Sequence, residues 1–222
     1  MSVADNIKRF KKEIPENVSL VAVSKTKPVE DIREAYDAGH RIFGENKVQE
    51  LTTKQPELPG DIEWHMIGHL QSNKVKYIAP FVSLIHGVDK FKLLKVINKE
   101  AKKNDRVIDC LLQFHIAREE TKFGLNLEEA KALLEAEEYK ELEHVNLVGV
   151  MGMATFTEDE DKVREEFKTL RTLFNKLKST YFQKKDSFKI ISMGMSNDYK
   201  IAIEEGATMI RVGSLLFGPR NV

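Results

Sequence analysis

Leu20-Val21-Ala22-Val23-Ser24-Lys25-Thr26-Lys27-Pro28 separates the two α/β architectures open to this chain. Its first four residues are apolar and read as a short buried strand; the turn that follows is made of hydroxyls, lysines and a proline. An open doubly wound sheet carries a glycine-rich turn after its first strand, so that backbone can approach a pyrophosphate. Neither a GxGxxG nor a Walker pattern follows here. A closed parallel barrel remains.

Working outward, apolar runs rich in Val and Ile recur along the chain, each followed by a segment with helical periodicity. Strands are expected at residues 20–23, 41–43, 63–67, 84–88, 106–116, 147–151, 189–193 and 209–212, with helices at 29–38, 47–54, 72–78, 90–103, 127–137, 160–180 and 197–205. Gly39 and Gly206 stand just past two helix ends, where glycine stops a helix. Eight strand–helix units within 222 residues give a (β/α)8 TIM barrel, read as one domain over residues 1–222. The stretch after the eighth strand is too short for a full last helix, so an extra N-terminal helix over residues 3–12 is expected to cover that gap.

Charge narrows the partners. With 35 Lys+Arg against 35 Asp+Glu, the chain has no net attraction for nucleic acid or for anionic membranes. Cys110 alone forms no internal disulfide and lies in an apolar run, so a reducing, cytoplasmic compartment is expected. The start of the chain is charged and amphipathic, and no apolar run approaches the ~18 residues a membrane span needs.

Active sites of such barrels sit where the strands end. Lys25 follows the first strand, where an ammonium loses water and can become a neutral, imine-forming amine; a lysine turned outward to solvent is the plainer alternative. The seventh strand runs into Gly194-Met195-Ser196-Asn197-Asp198 and the eighth into Gly213-Ser214, small polar clusters suited to a phosphate; Ser196 or Asn197 equally suits a helix cap. Because strand eight pairs with strand one in a closed barrel, Lys25 and this cradle lie side by side, as an aldehyde with a distant phosphate requires. Arg211 sits in an apolar run, where it pairs with an acid or donates to a heteroaromatic nitrogen. Glu45 and Asn46 follow strand two, and Asn46 equally suits a helix cap. His65 and His69 have the spacing of a zinc pair on a helix but fall at a strand end without the HExxH glutamate, so no metal is expected. His115 and residues 121–124 are further rim candidates with a surface role as the default, and Cys110 is expected in mid-strand, away from the mouth.

Taken together, these strings resemble the pyridoxal 5′-phosphate homeostasis protein family, single-domain relatives of the alanine racemase N-terminal barrel. The likeness runs in order through residues 22–28, Phe43-Gly44-Glu45-Asn46-Lys47-Val48-Gln49-Glu50, residues 64–74, Gly149-Val150-Met151-Gly152-Met153, residues 192–198 and Arg211-Val212-Gly213-Ser214 with Phe217-Gly218. His69 stands where the family often has proline, and Ser214 where threonine is common. The resemblance implies pyridoxal 5′-phosphate held as an internal aldimine on Lys25. It places the phosphate on Ser196, Gly213 and Ser214, counts Met195 among the cofactor-binding residues, sets Asn46 beside the cofactor, and turns Arg211 to the pyridine nitrogen.

An arginine at that nitrogen keeps it unprotonated and the ring a weak electron sink. Alanine racemases with this arrangement add a second domain that brings a tyrosine base, and the sequence leaves no room for one before Val222. The expected function is therefore non-catalytic: a monomer that holds the cofactor for intracellular vitamin B6 homeostasis and passes it to apo forms of pyridoxal phosphate-dependent enzymes. The alternatives are an amino-acid racemase using Lys25 with His69 or His115, and a barrel for another phosphorylated metabolite.

Overall fold

The computed structural model describes residues 2–117 and 123–219. Eight parallel strands close on themselves in sequence order: β1 (Ser19–Val23), β2 (Ile42–Glu45), β3 (Glu63–Met66), β4 (Leu84–Val88), β5 (Ile108–Gln113), β6 (Val145–Met151), β7 (Ile190–Ser192) and β8 (Met209–Val212). The barrel shuts where β1 lies against β8, from Ser19 opposite Met209 to Ala22 opposite Val212. All eight expected strands are present. The fifth is shorter than its apolar run, because Phe114 leaves the ladder for an isolated bridge to Leu125 and starts the loop above.

Both faces of each strand are covered, which is why the strands read as near-continuous apolar runs. Inside the barrel, Val21, Leu84, Leu111, Val148, Met151 and Met209 form their own cluster. Between strands and helices a larger core gathers Phe43, Trp64, Ile85, Leu112, Phe167, Ile210 and others. Cys110 is fully buried in β5, and loss of water raises its thiol well above the ordinary value.

The helices are α1 (Val3–Glu13), α2 (Val29–Asp37), α3 (Val48–Lys54), α4 (Val75–Ile78), α5 (Phe91–Lys102), α6 (Leu127–Glu135), α7 (Glu160–Tyr181), α8 (Tyr199–Glu204) and α9 (Ser214–Phe217). Gly39 and Gly206 end α2 and α8 with φ of 84° and 94°, the left-handed conformation that glycine adopts without penalty. A capping box between Ser2 and Asp5 starts α1, which packs against α2, α8 and α9. Its Ile7 and Phe10 are buried, Phe10 meets Tyr199 of α8 with ring centroids 4.9 Å apart, and Asn6 Nδ2 donates to Leu216 O of α9 at 3.0 Å. No helix among the described residues is long and apolar enough to cross a membrane.

Candidate functional site

At the C-terminal ends of the strands lies a cavity of about 980 Å³. It is lined by Lys25, Asn46, Met195, Ser196, Arg211, Gly213 and Ser214, so the residues that the family resemblance assigns to the cofactor face one space. Pairing of β1 with β8 brings the first and last of them together. A Cβ added to Gly213 would stand 3.1 Å from Val23 O and 3.3 Å from Val23 Cβ, so any larger residue would have to push the ends of β1 and β8 a few tenths of an ångström apart.

The β7–β8 side is built from small groups. Gly213 N–H donates to Ser196 Oγ at 3.3 Å, a long bond between two groups that both face the cavity. The first amides of α9 have no carbonyl of their own helix to meet. Neither Ser196 nor Asn197 caps α8, contrary to one sequence reading: Asp198 holds that position, and its Oδ1 instead accepts from Met195 N–H at 2.5 Å. That bond folds the Met195–Asp198 turn back on itself and leaves the Ser196 hydroxyl for the cavity. Burial raises the Asp198 carboxyl, opposed by the Met195 bond and by Arg211. Below, Lys27 Nζ donates to Phe217 O and Pro219 O, each at 2.8 Å, and ties the β1–α2 loop to the far end of α9.

Arg211 is 4% exposed and rises from β8 into the cavity floor. The acid bridge offered by the sequence is not what holds it: Nη1 donates to Ser192 Oγ at 2.6 Å and Nη2 to Gly152 O at 3.1 Å, both neutral acceptors. Burial lowers the guanidinium to about 10, opposed by Asp198, and it stays cationic at neutral pH. Ser192 Oγ also lies 3.0 Å from His86 Nδ1, and His86 Nε2 lies 3.1 Å from His65 Nδ1, so the hydrogen bonds run on from the guanidinium through the hydroxyl to both imidazoles. These bonds cross the barrel from β8 and β7 to β4 and β3. Burial holds His65 at about 3 and His86 well below its ordinary value, so the chain is neutral beyond Arg211.

His65 therefore belongs to the barrel interior and His69 to the mouth, and the two do not converge. Among the described residues no group of three His, Cys, Asp or Glu side chains could hold a metal. At the mouth His69 stacks on Phe123, with centroids 4.0 Å apart, and its Nδ1 lies 3.5 Å from Asp89 Oδ2. His115 is exposed and outside the cavity wall, so its candidacy fails; Phe123 does line the cavity, whereas Thr121 and Lys122 lie outside the described residues.

The β1–β2 side holds what sequence reading missed. Glu45, expected at the mouth, is fully buried beneath it; Asn46, one residue on, lines the cavity, and Lys47 rather than Asn46 takes the cap position of α3. Glu45 Oε1 accepts from Ser24 Oγ at 2.7 Å and from Lys54 Nζ at 2.8 Å, while Oε2 is buried without a partner. Burial raises the Glu45 carboxyl, opposed by Lys54. Opposite, Thr155 at the cavity wall is pinned by buried Glu166 of α7, which accepts from its N–H at 2.6 Å and from its hydroxyl at 2.8 Å. Sequence reading also passed over Thr155, although it follows a strand end like the others.

An amine, an anion cradle and a buried cation around one cavity match an aromatic aldehyde that carries a phosphate. The family model for the alanine racemase N-terminal domain matches residues 1–221. The pyridoxal phosphate homeostasis protein of Aquifex aeolicus (strain VF5) is 44% identical over 203 residues, covering 91% of this chain and 87% of that one. Its counterpart in Vibrio alginolyticus is 37% identical over 212 residues, 93% and 88% of the two chains. The structure of PipY from Synechococcus elongatus PCC7942 with PLP bound superposes with a TM-score of 0.89 at 35% identity, covering 98% of this chain and all of that one. An alanine racemase from Clostridium difficile 630, at 15% identity and a TM-score of 0.75, shares the fold; this chain covers 56% of it.

Proposed function

The chain belongs to the pyridoxal phosphate homeostasis protein family, and from that membership we propose that it holds pyridoxal 5′-phosphate at the barrel mouth through an imine to Lys25, for intracellular vitamin B6 homeostasis and cofactor supply. The observation that carries this reading is the side-by-side placement of Lys25 and the Ser196–Gly213–Ser214 cluster over a buried Arg211 bonded to neutral acceptors.

When bound, the cofactor supplies an electrophilic aldehyde and a ring that can withdraw electrons. The chain's own groups decide what becomes of that capacity. Lys25 offers the amine. Ser196, the amides of Gly213 and Ser214 and the turn at Met195 take the phosphate, and Asn46 borders the ring. Arg211 retains donors beyond those given to Ser192 and Gly152, and its fixed cation directs them at the pyridine nitrogen, which it keeps unprotonated. A ring so held withdraws few electrons, so the site stores the cofactor rather than driving proton abstraction. On the same reading residues 1–222 act as one cofactor-binding unit, a cytoplasmic monomer that hands its cofactor to apo-enzymes.

Purified protein with added cofactor is expected to show an imine absorption band, and borohydride reduction followed by peptide mass mapping is expected to place the label on Lys25. A label elsewhere, or none, overturns the assignment. A racemase-like activity has one observation in its favour, the His69–Asp89 pair at the mouth. Deuterium exchange into a panel of L- and D-amino acids decides between them: saturable exchange at enzyme-like rates would establish turnover.

A further inference from the structure

We propose that Lys54 and Glu50 are positioning residues for Lys25, gripping the peptide on both sides of it so that its amine is set in place before an aldehyde arrives. The proposal rests on the reading that Lys25 captures the cofactor.

Lys54 closes α3, and its side chain is 8% exposed. Its Nζ donates to Ser24 O at 2.8 Å, to Glu45 Oε1 at 2.8 Å and to Glu50 Oε1 at 2.6 Å, which commits all three ammonium donors. Glu50 Oε1 also accepts from Thr26 N–H at 2.5 Å. Ser24 O is the carbonyl that precedes Lys25 and Thr26 N–H the amide that follows it. Both hang from one ammonium, directly or through one carboxylate.

A second observation lies in the backbone. Thr26 has φ of 63°, in the left-handed region that β-branched residues rarely enter. Backbone strain of this kind persists only where the surroundings over-determine it, and it collects at functional sites. Here the bond from Glu50 supplies the constraint. Stability is a poor reason for the cluster to exist, because two carboxylates and an ammonium taken from water cost more than apolar side chains of the same size, and Glu45 Oε2 is left without any partner.

The step served is simple. Attack of the neutral Lys25 nitrogen on the aldehyde carbon forms the C=N bond, and the aldehyde oxygen leaves as water with both amine protons. Its rate depends on how often the nitrogen stands within reach of that carbon at the right angle. A loop held from both sides keeps it there; a loop released from Glu50 does not.

The test uses the full apo chain and added pyridoxal 5′-phosphate. Glu50→Ala is expected to slow appearance of the imine band about tenfold or more, with the melting midpoint nearly unchanged, since Glu50 sits at the margin of the buried cluster. Glu50→Gln, which keeps an acceptor for the Thr26 amide, is expected to stay within about threefold of the parent rate. Adding Thr26→Gly to Glu50→Ala removes the side chain that resists the turn and is expected to restore most of the lost rate. In the unaltered apo protein, hydrogen exchange at the Thr26 amide is expected to be slow, a measurement that needs no variant. Capture by Glu50→Ala at the parent rate, a defect that Thr26→Gly leaves untouched, or a Thr26 amide that exchanges like an open loop overturns the proposal. A borohydride label away from Lys25 in the unaltered protein overturns the cofactor reading instead, so the two failures are told apart.

Discussion

The two sides of the barrel mouth use opposite materials. On the β1–β2 side, long charged side chains come from below to hold one short loop: Lys54, Glu45 and Glu50 bond to Ser24 and Thr26, and little of them meets solvent. On the β7–β8 side the work falls to backbone and small hydroxyls: the Met195–Asp198 turn, Gly213 and Ser214, with a single lysine fastening the end of α9. Placing one nucleophilic atom requires its chain to be fixed in direction, which ion pairs in a dry pocket do well. Receiving an anion spread over three oxygens needs several donors at close range, which amides do well and bulky side chains obstruct.

That contrast can be broken most completely at Lys25. Lys25→Ala should abolish the borohydride-stable label altogether while leaving the opposite side intact, so that pyridoxal 5′-phosphate still binds, reversibly and about a hundredfold more weakly or worse. Equilibrium dialysis combined with peptide mapping checks both parts. If the variant lost all binding, the two sides would not be separable.

The hydrogen-bonded chain across the lumen runs from the β7–β8 side to β4 and β3, and pH tests it. In the folded protein His65 sits at about 3, and His40, which is buried outside that hydrogen-bonded chain just before β2 with Nε2 2.8 Å from Ile42 O, at about 4, against 6.5 when unfolded, so between those values the unfolded protein binds protons that the folded one does not. Folding stability should be full above pH 6.5 and fall as pH drops from there through the folded values, by up to about 1.4 kcal/mol per pH unit for each such histidine. Urea titrations at successive pH values measure the slope. A flat profile below pH 6.5 would mean that the interior histidines carry protons in the folded state.

The anion side has a smaller expected effect. Ser196→Ala removes one donor and should weaken cofactor binding about three- to tenfold with the imine still on Lys25. Gly213→Val, which sets a branched side chain against Val23 O, should cost more than Ser196→Ala but leave the rate of capture by Lys25 the better preserved of the two properties. Smallest is Lys27→Met: it gives up two partly exposed bonds to Phe217 and Pro219, and thermal unfolding should report a loss of about 1 kcal/mol.

Sequence reading reached the fold because each strand is an apolar run and each helix a periodic one, and the absence of a glycine-rich first turn left only closure. It reached the mouth because strand ends in a parallel barrel converge whatever their spacing in the chain. It failed on which way side chains point. With both faces of every strand buried, apolar alternation is gone, so nothing distinguished Glu45, turned below the mouth, from Asn46, turned into it. Nothing in the sequence set Lys54 apart from the other charged residues of its helix, since its bond to Ser24 spans 30 residues. His86 lay unnoticed inside Leu84–Val88, because its partners stand on β3 and β7, across a lumen that only closure creates. Residues 114–116 failed for another reason: the apolar run continued where the backbone had already turned to its bridge with Leu125.

Cys110 gives the molecule a built-in stopwatch. A thiol sealed in mid-barrel and held in its unreactive form meets an alkylating reagent only when the whole wall parts, so the labelling rate counts openings of the closed state. Any small molecule that seats itself across the β1–β8 closure should lengthen the interval between those openings, whether or not it absorbs light or leaves a covalent mark.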